Sequence, residues 1–375
     1  MTMRWVTREG NLWHGRLACV SSAGHRQHRT RFVWAFLALG AMAACQRPQK
    51  PVFPDIAPAI VWPKAPDVPR IRYIGELIGE QSLDRRPTGW AAVKSALEGP
   101  PPVTNFSTPT AVAARGEVVF VADGQARAVY RLNVATREFQ TITSAGGAPF
   151  GFPIDLALHG ESLFVADSAR PGVFEFDSNG RYRRTLVIEG LKRPSAIAVH
   201  PASGDLFVLD SAAHVCHVIG GDGTRKRTLG RRGASQGEFN YPAGLTFDPR
   251  YGMAVADSMN FRVQLLAETG SPLGMFGRKG DAAGDFSMPR DLAFDSQGHV
   301  YVVDNQFENV QIFSRDGRLL MAWGQEGLGP GEFYLPSGIT IDERDRIWIA
   351  DTYNRRVQVF QFLGAGDAPT TQNVP

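Results

Sequence analysis

Cysteine is almost missing from this chain: 375 residues contain three, Cys19, Cys45 and Cys216. So few exclude a fold stapled by disulfides. Long apolar runs are missing as well. The apolar stretch at residues 32–44 has 13 members, short of the ~20 that a membrane-spanning helix needs. No HExxH, P-loop or CxxC motif occurs between residues 70 and 363, so zinc-protease, nucleotide-phosphate and dithiol chemistries have no local signature. A large charge excess is absent too. The formal charge is +3, but residues 1–45 hold six arginines and one glutamate, so everything after them carries −2. A weakly acidic body gives no electrostatic reason to bind nucleic acid, and that function is set aside.

What is abundant is turn chemistry. Forty glycines and 25 prolines accompany 43% hydrophobic residues, the balance of a turn-rich globular protein and not of a disordered one. The length suits two average domains or one large all-β domain.

The basic N-terminus reads as an address. Arg26, Arg29 and Arg31 precede the apolar core in the order of a signal peptide. The core ends in Met42-Ala43-Ala44-Cys45, which resembles a bacterial lipobox with Met where Leu is more usual. That resemblance implies that residues 1–45 are a lipoprotein signal and that Cys45 is acylated as the first mature residue. It also implies, through Gln46, a place on the periplasmic side of the outer membrane. Several acyl chains anchor firmly where one does not. A soluble secretory signal cut after Ala-x-Ala is the alternative. The 31 residues before the core are long for an n-region, which leaves the true translation start open. Residues 46–69 contain seven prolines and favour extended polyproline II. They are expected to form a semi-rigid stalk, or else a strap that touches the body through Phe53 and Trp62.

From about residue 70 the sequence repeats. A hydrophobic run closing on Asp recurs as VFVAD, LFVAD, LFVLD, MAVAD, VYVVD and IWIAD, at Asp123, Asp167, Asp210, Asp257, Asp304 and Asp351. The spacings are 44, 43, 47, 47 and 47. A proline 14 to 16 residues earlier keeps step: Pro109, Pro153, Pro194, Pro242, Pro289 and Pro336. Each unit reads as an alternating strand, a second strand ending in Asp, a polar loop, a third strand (FRVQLL, NVQIFS, RRVQVFQF) and, after a Gly turn, a fourth. Four short strands in roughly 45 residues, six times over, are the arithmetic of an all-β, six-bladed β-propeller with four-stranded antiparallel blades. A solenoid is the main alternative. The units resemble the NHL-repeat family over about residues 70–363. The likeness is strongest where GEFNYPAGL, GDFSMPRDL and GEFYLPSGI are nearly interchangeable, and in DSMNFRVQ and DTYNRRVQ. DSARPGVFEF and DSAAHVCHV depart from that pattern.

The sixth unit supplies three strands and stops at Phe362. RIRYIGELIG, residues 70–79, has the rhythm of the fourth strands SPLGMFGRKG and RLLMAWGQEG. It is therefore expected to complete the last blade, close the ring and cover an edge that would otherwise invite aggregation. Residues 87–98 read as a short helix capped by Thr88, with Trp90, Val93 and Leu97 on one face, expected to cover one end of the propeller. Residues 364–375 read as a disordered tail.

A residue repeated six times has a repeated job. The six aspartates are expected to accept backbone N–H bonds in Asx-type turns, and Arg262 and Arg356 to bridge strands or blades. Candidates for chemistry are the departures. Two residues after each proline stand Ala111, Asp155, Ala196, Gly244, Asp291 and Gly338. The two acids fall in units two and five, opposite one another in a six-fold ring, with Arg290 beside one of them. At a channel mouth they would hold a Ca²⁺-like divalent cation, or bond to nearby backbone and arginine; a hard-cation site usually needs more than two carboxylates. His214 and His217 are three apart on an expected third strand and would face opposite ways, which argues against zinc. Cys216 falls in the column of Val129, Val173, Val263, Val310 and Val357, where a thiol is packed and inert. His159 and His200 share a turn column with Asp248, Asp295 and Asp342.

Two functions compete. One is a non-catalytic binding module in the cell envelope, held to the membrane by its lipid, for a protein, glycan or small ligand and with no cofactor. The other is a metal-dependent propeller enzyme. The family resemblance includes amidating lyases, with histidine ligands, and metal-dependent lactonases, with acidic and asparagine ligands. No histidine triad falls at channel-lining positions, and Asp155 with Asp291 is all that supports a lactonase-like hydrolase. The binding module is favoured by fold analogy, which names no ligand.

Overall fold

Alternating Val, Ile and Phe between Gly and Asp turns produce short strands, and the computed structural model arranges them as a six-bladed β-propeller. It describes residues 49–87 and 89–364. The signal segment with Cys45, the capping residue Thr88 and the tail beyond Gly364 lie outside the described residues.

Five blades have four antiparallel strands in sequence order, and the sixth blade has five. Blades one to five start at the channel with Pro109–Arg115, Pro153–His159, Pro194–Val199, Gly244–Asp248 and Pro289–Phe294. Blade six starts with the shorter Ile339–Ile341. The second strands, such as Leu206–Asp210 and Val300–Asp304, are buried throughout. This is why they read as continuous apolar runs instead of alternating ones. The outer strands of blades two and three are polar, YRRTL at Tyr182–Leu186 and RKRTL at Arg225–Leu229, and charge on an edge strand discourages pairing with another chain. Apolar clusters lie between neighbouring blades; Phe120, Phe150, Phe174 and Phe176, for example, fill the wedge between blades one and two.

Ring closure follows the sequence expectation. Ile71–Leu77 pairs antiparallel with Arg356–Phe362, from Ile71 opposite Phe362 to Leu77 opposite Val357. Glu76 on this strand also accepts a bond from Arg356 Nη1 at 2.8 Å. The Phe360 ring is enclosed by Tyr73, Trp323 and Trp62 at centroid distances of 5.5, 5.7 and 5.8 Å.

Of the two courses open to the proline-rich segment, its described part takes the strap. Val61–Trp62 adds a fifth strand to blade six. Phe53 meets Trp348 edge-on at 5.9 Å, and Ile56 and Ile60 pack on a separate cluster that holds Phe360. The helix forms at Trp90–Glu98 but covers nothing: Trp90 is 78% and Leu97 80% exposed. Its apolar face met the periodicity criterion for a docked helix, but periodicity does not establish that a partner surface is within reach. Among the described residues no helix is long and apolar enough to cross a membrane.

Candidate functional site: the channel and its mouth

The six repeat aspartates are wholly buried and bind backbone. Asp304 accepts N–H bonds from Ser287 and Met288 in the preceding connection and from Gln306 and Phe307 in its own turn. Asp123, Asp167 and Asp210 work the same way. Asp257 and Asp351 exchange part of that set for side chains. Each accepts from an arginine Nε, at 2.9 Å from Arg262 and 2.7 Å from Arg356. Those guanidiniums then reach the carbonyls of the loop that joins the previous blade, Ala234, Ser235 and Glu238 in the case of Arg262.

Asp155 and Asp291 stand in the channel wall rather than at its lip. Below them opens a cavity of about 330 Å³, lined also by Arg115, Phe247, Phe294 and Glu343. Around them the lumen narrows to about 10 Å³. Their oxygens stitch blades together. Asp155 Oδ1 accepts from the N–H of Leu156 at 2.8 Å, and Oδ2 from that of Ile197 in blade three at 2.7 Å. Asp291 Oδ2 accepts from the N–H of Ile339 in blade six at 2.9 Å. Burial raises both carboxyls, Asp291 to about 7 and Asp155 well above its ordinary value, and repulsion from Asp291 adds to the rise at Asp155. Gly244 and Gly338, in the same column, stand where inner strands touch. A Cβ on Gly244 would lie 2.6 Å from Asp291 Cα, and one on Gly338 2.7 Å from Ala111 Cα.

A divalent cation does not fit this pair. Each carboxylate already accepts N–H bonds, Arg290 is attracted to both, and a hard cation wants six to eight oxygens. Among the described residues no group of three or more His, Cys, Asp or Glu is placed to hold a metal ion.

Above the constriction a cleft of about 370 Å³ opens at the mouth, walled by blades two to five. Arg290 lies on its floor, between the cleft and the two acids. Tyr241 and Met259, 42% and 44% exposed, form part of the rim with Arg193. The Arg193 guanidinium lies over the Tyr241 ring at 5.9 Å and donates from Nε to Ser211 Oγ at 3.0 Å. Sequence reasoning named Arg290 with Asp155 and Asp291 as a channel-mouth candidate, and it missed Arg193, Tyr241, Met259 and Met288. The signal was in an unread column, one residue after each proline: Thr110, Ile154, Ser195, Ala243, Arg290 and Ser337. Its three hydroxyls donate to a carbonyl of the next blade, at Pro153, Pro242 and Thr110.

The remaining candidates are structural. His214 sits in the turn before Val215–Ile219, at φ 59°, and not on that strand as expected. Its Nδ1 accepts from the N–H of Tyr241 at 3.1 Å. His217 points inward, with Nε2 3.8 Å from Asp210 Oδ2. It replaces the glutamine of later blades; Gln264 and Gln358 bond both the repeat aspartate and the interblade loop. Cys216 is buried, and burial pushes its thiol far up. His200 accepts from the Ser203 N–H in its turn, while Asp248, Asp295 and Asp342 each bond backbone in theirs. One hydrolase-like spacing escaped the sequence reading: Gly233-Ala234-Ser235-Gln236-Gly237 has the form GxSxG. It lies in an interblade loop where Ser235 is bonded to Glu238, not on the strand-to-helix turn of a nucleophile elbow.

Known proteins match this architecture. A family described as a 6-bladed beta-propeller matches residues 291–371. No curated protein matches at a significant level. Among solved structures, a streptogramin B lyase is 11% identical, with a TM-score of 0.54 over 68% of this chain and 94% of that one. An auxiliary nutrient binding protein from Bacteroides thetaiotaomicron VPI-5482 is 14% identical, with a TM-score of 0.55 over 68% of this chain and 69% of that one. A nidogen/laminin complex gives 18% identity and a TM-score of 0.51 over 63% and 86%. At such identities the likeness concerns the fold alone.

Proposed function

We propose that this chain is a non-catalytic binding propeller of the NHL type, held outside the cytoplasm by a lipid on Cys45. Its partner is an envelope protein, a glycan or a small ligand engaged at the mouth. The observation that carries the reading is the cleft itself. It has volume, exposed Tyr241 and Met259, and the guanidinium of Arg290 on its floor, while the acids beneath are already committed to backbone N–H groups. Aromatic and Met side chains around an Arg are the composition of a recognition surface. A nutrient-binding protein among the solved propellers gives such a role a precedent on this fold. The lipobox supports the address, and Gln46 the outer membrane.

The test uses the full chain expressed in a bacterial envelope. Labelling with a radioactive fatty acid is expected to mark the wild type and not Cys45→Ala, which moves to the soluble fraction; equal label in both contradicts the anchor. Chemical cross-linking in intact cells is expected to capture a partner that Tyr241→Ala/Met259→Ala loses. Capture that is indifferent to those substitutions contradicts the mouth as the site.

A further inference from the structure

We propose that the mouth cleft takes a small organic carboxylate, its anionic group seated on the guanidinium of Arg290. This rests on the reading of the cleft as a binding site and names what binds there.

The first observation is an unused cation. Among the described residues no hydrogen bond or ion pair within bonding distance reaches the Arg290 side chain; its charged neighbours Asp155, Asp291 and Arg193 act on it only through space. Column mates Thr110, Ser195 and Ser337 stitch blades together, so Arg290 forgoes a structural bond, and its side chain, with five donors, lines the cleft and the constriction below it. The Arg290 side chain is half-buried and open to the cleft, so a ligand can reach its guanidinium without breaking a bond within the protein. An arriving carboxylate meets that fork in the bidentate geometry guanidinium prefers.

The second observation limits the charge. The charged groups around Arg290 are Asp291, next to it on the same strand, Asp155 from blade two across the channel, and Arg193 on the rim. Burial raises both carboxyls, Asp291 to about 7, which withholds negative charge from the floor and leaves the Arg290 cation less compensated as pH falls below 7. That balance suits a monoanion. A phosphate dianion would bring a second negative charge towards the acids.

The third observation concerns the hydroxyls. Ser168, Ser195, Ser211 and Ser258 donate to the carbonyls of Phe152, Pro242, Arg193 and Pro289. With their protons committed they offer lone pairs only. A ligand that carries a hydroxyl or ammonium donor beyond its carboxylate gains from them. Between these polar points Ile154, Tyr241, Met259 and Met288 give an apolar wall, and about 370 Å³ lies at the small end of ligand sites.

The experiment is calorimetric titration and thermal melting of the full chain in detergent, with hexanoate, lactate, 4-hydroxyphenylacetate and tyrosine. The amides of the first three and inorganic phosphate serve as controls. At least one carboxylate is expected to bind with a Kd of about 1 mM or tighter. Its amide, phosphate and the Arg290→Gln variant should each lose at least tenfold, and Arg290→Lys should keep part of the affinity. Both variants should melt close to the wild type at pH 6, where Asp291 is largely protonated and Arg290 makes no bond to lose; a variant that fails to fold there contradicts the unbonded Arg290 on which the proposal stands. As Asp291 ionises around pH 7, negative charge beside Arg290 grows, so affinity should fall from pH 6 to pH 8. Absence of binding across the panel at 10 mM, equal binding of amides, or an affinity indifferent to Arg290→Gln overturns the proposal. If the carboxylates fail while the cross-linked partner still depends on Tyr241 and Met259, only the carboxylate is refuted; if both fail, so is the binding reading.

Discussion

Asp155 and Asp291 have the residue types of a cation site and the bonding of a structural one. Each carboxylate accepts an N–H of the next blade's inner strand, a role that asparagine's carbonyl oxygen can also fill. The difference between Asp and Asn at position 291 is therefore mainly one of titration. Folded Asp291 holds its proton up to about pH 7, whereas an unfolded aspartate releases it near 4. Between those values the folded chain binds more protons, so stability falls as pH rises from about 4 to about 7 and then levels. Asp291→Asn should match the wild type below pH 4 and exceed it by on the order of 1–3 kcal/mol at pH 8. Denaturant melts across pH check this; parallel curves for the two proteins would contradict it. At this scale the sequence was readable where residues recur. The repeat aspartates stood out because turn chemistry is local and was written six times. The importance of Arg290 was not readable in the same way, since a lack of partners depends on what every neighbouring strand presents.

Elements repeat the lesson with different outcomes. The closing strand was legible because Ile71, Tyr73, Gly75 and Leu77 follow the alternation of other fourth strands, and an unpaired edge on the last blade demands a partner. The helix at Trp90–Glu98 was legible as a helix and misleading as a cover, since an apolar face on nine residues does not say what it meets. Close packing of inner strands was hidden in plain glycines. At Gly338 an added Cβ would stand 2.7 Å from Ala111 Cα and 2.8 Å from Thr110 O, so backbone and not a flexible side chain would have to yield. Gly338→Ala should cost about 1–3 kcal/mol, read as a lower denaturant midpoint. Gly274→Ala, where nothing lies within 4 Å, is the control and should change little. Equal effects would contradict strand contact at the channel.

Taken whole, the molecule is a ring whose mouth exists only because six blades close. Blades two to five wall the cleft, and blades six and one are locked beside it by Ser337 and Thr352, which donate to Thr110 and Pro109 carbonyls. Closure comes from Ile71–Leu77, with the strap at Val61–Trp62 outside it. An open ring would let these blades part and would dissolve the cleft, the constriction and the floor under Arg290 together. Native-state hydrogen exchange resolved by residue tests this most directly. The bonded amides of Ile71–Leu77 are predicted to open only with the global transition, within about tenfold of the rates at Arg356–Phe362. Exchange of the closing strand several orders of magnitude faster, while the six inner strands stay protected, would contradict the closed ring and the binding site built on it.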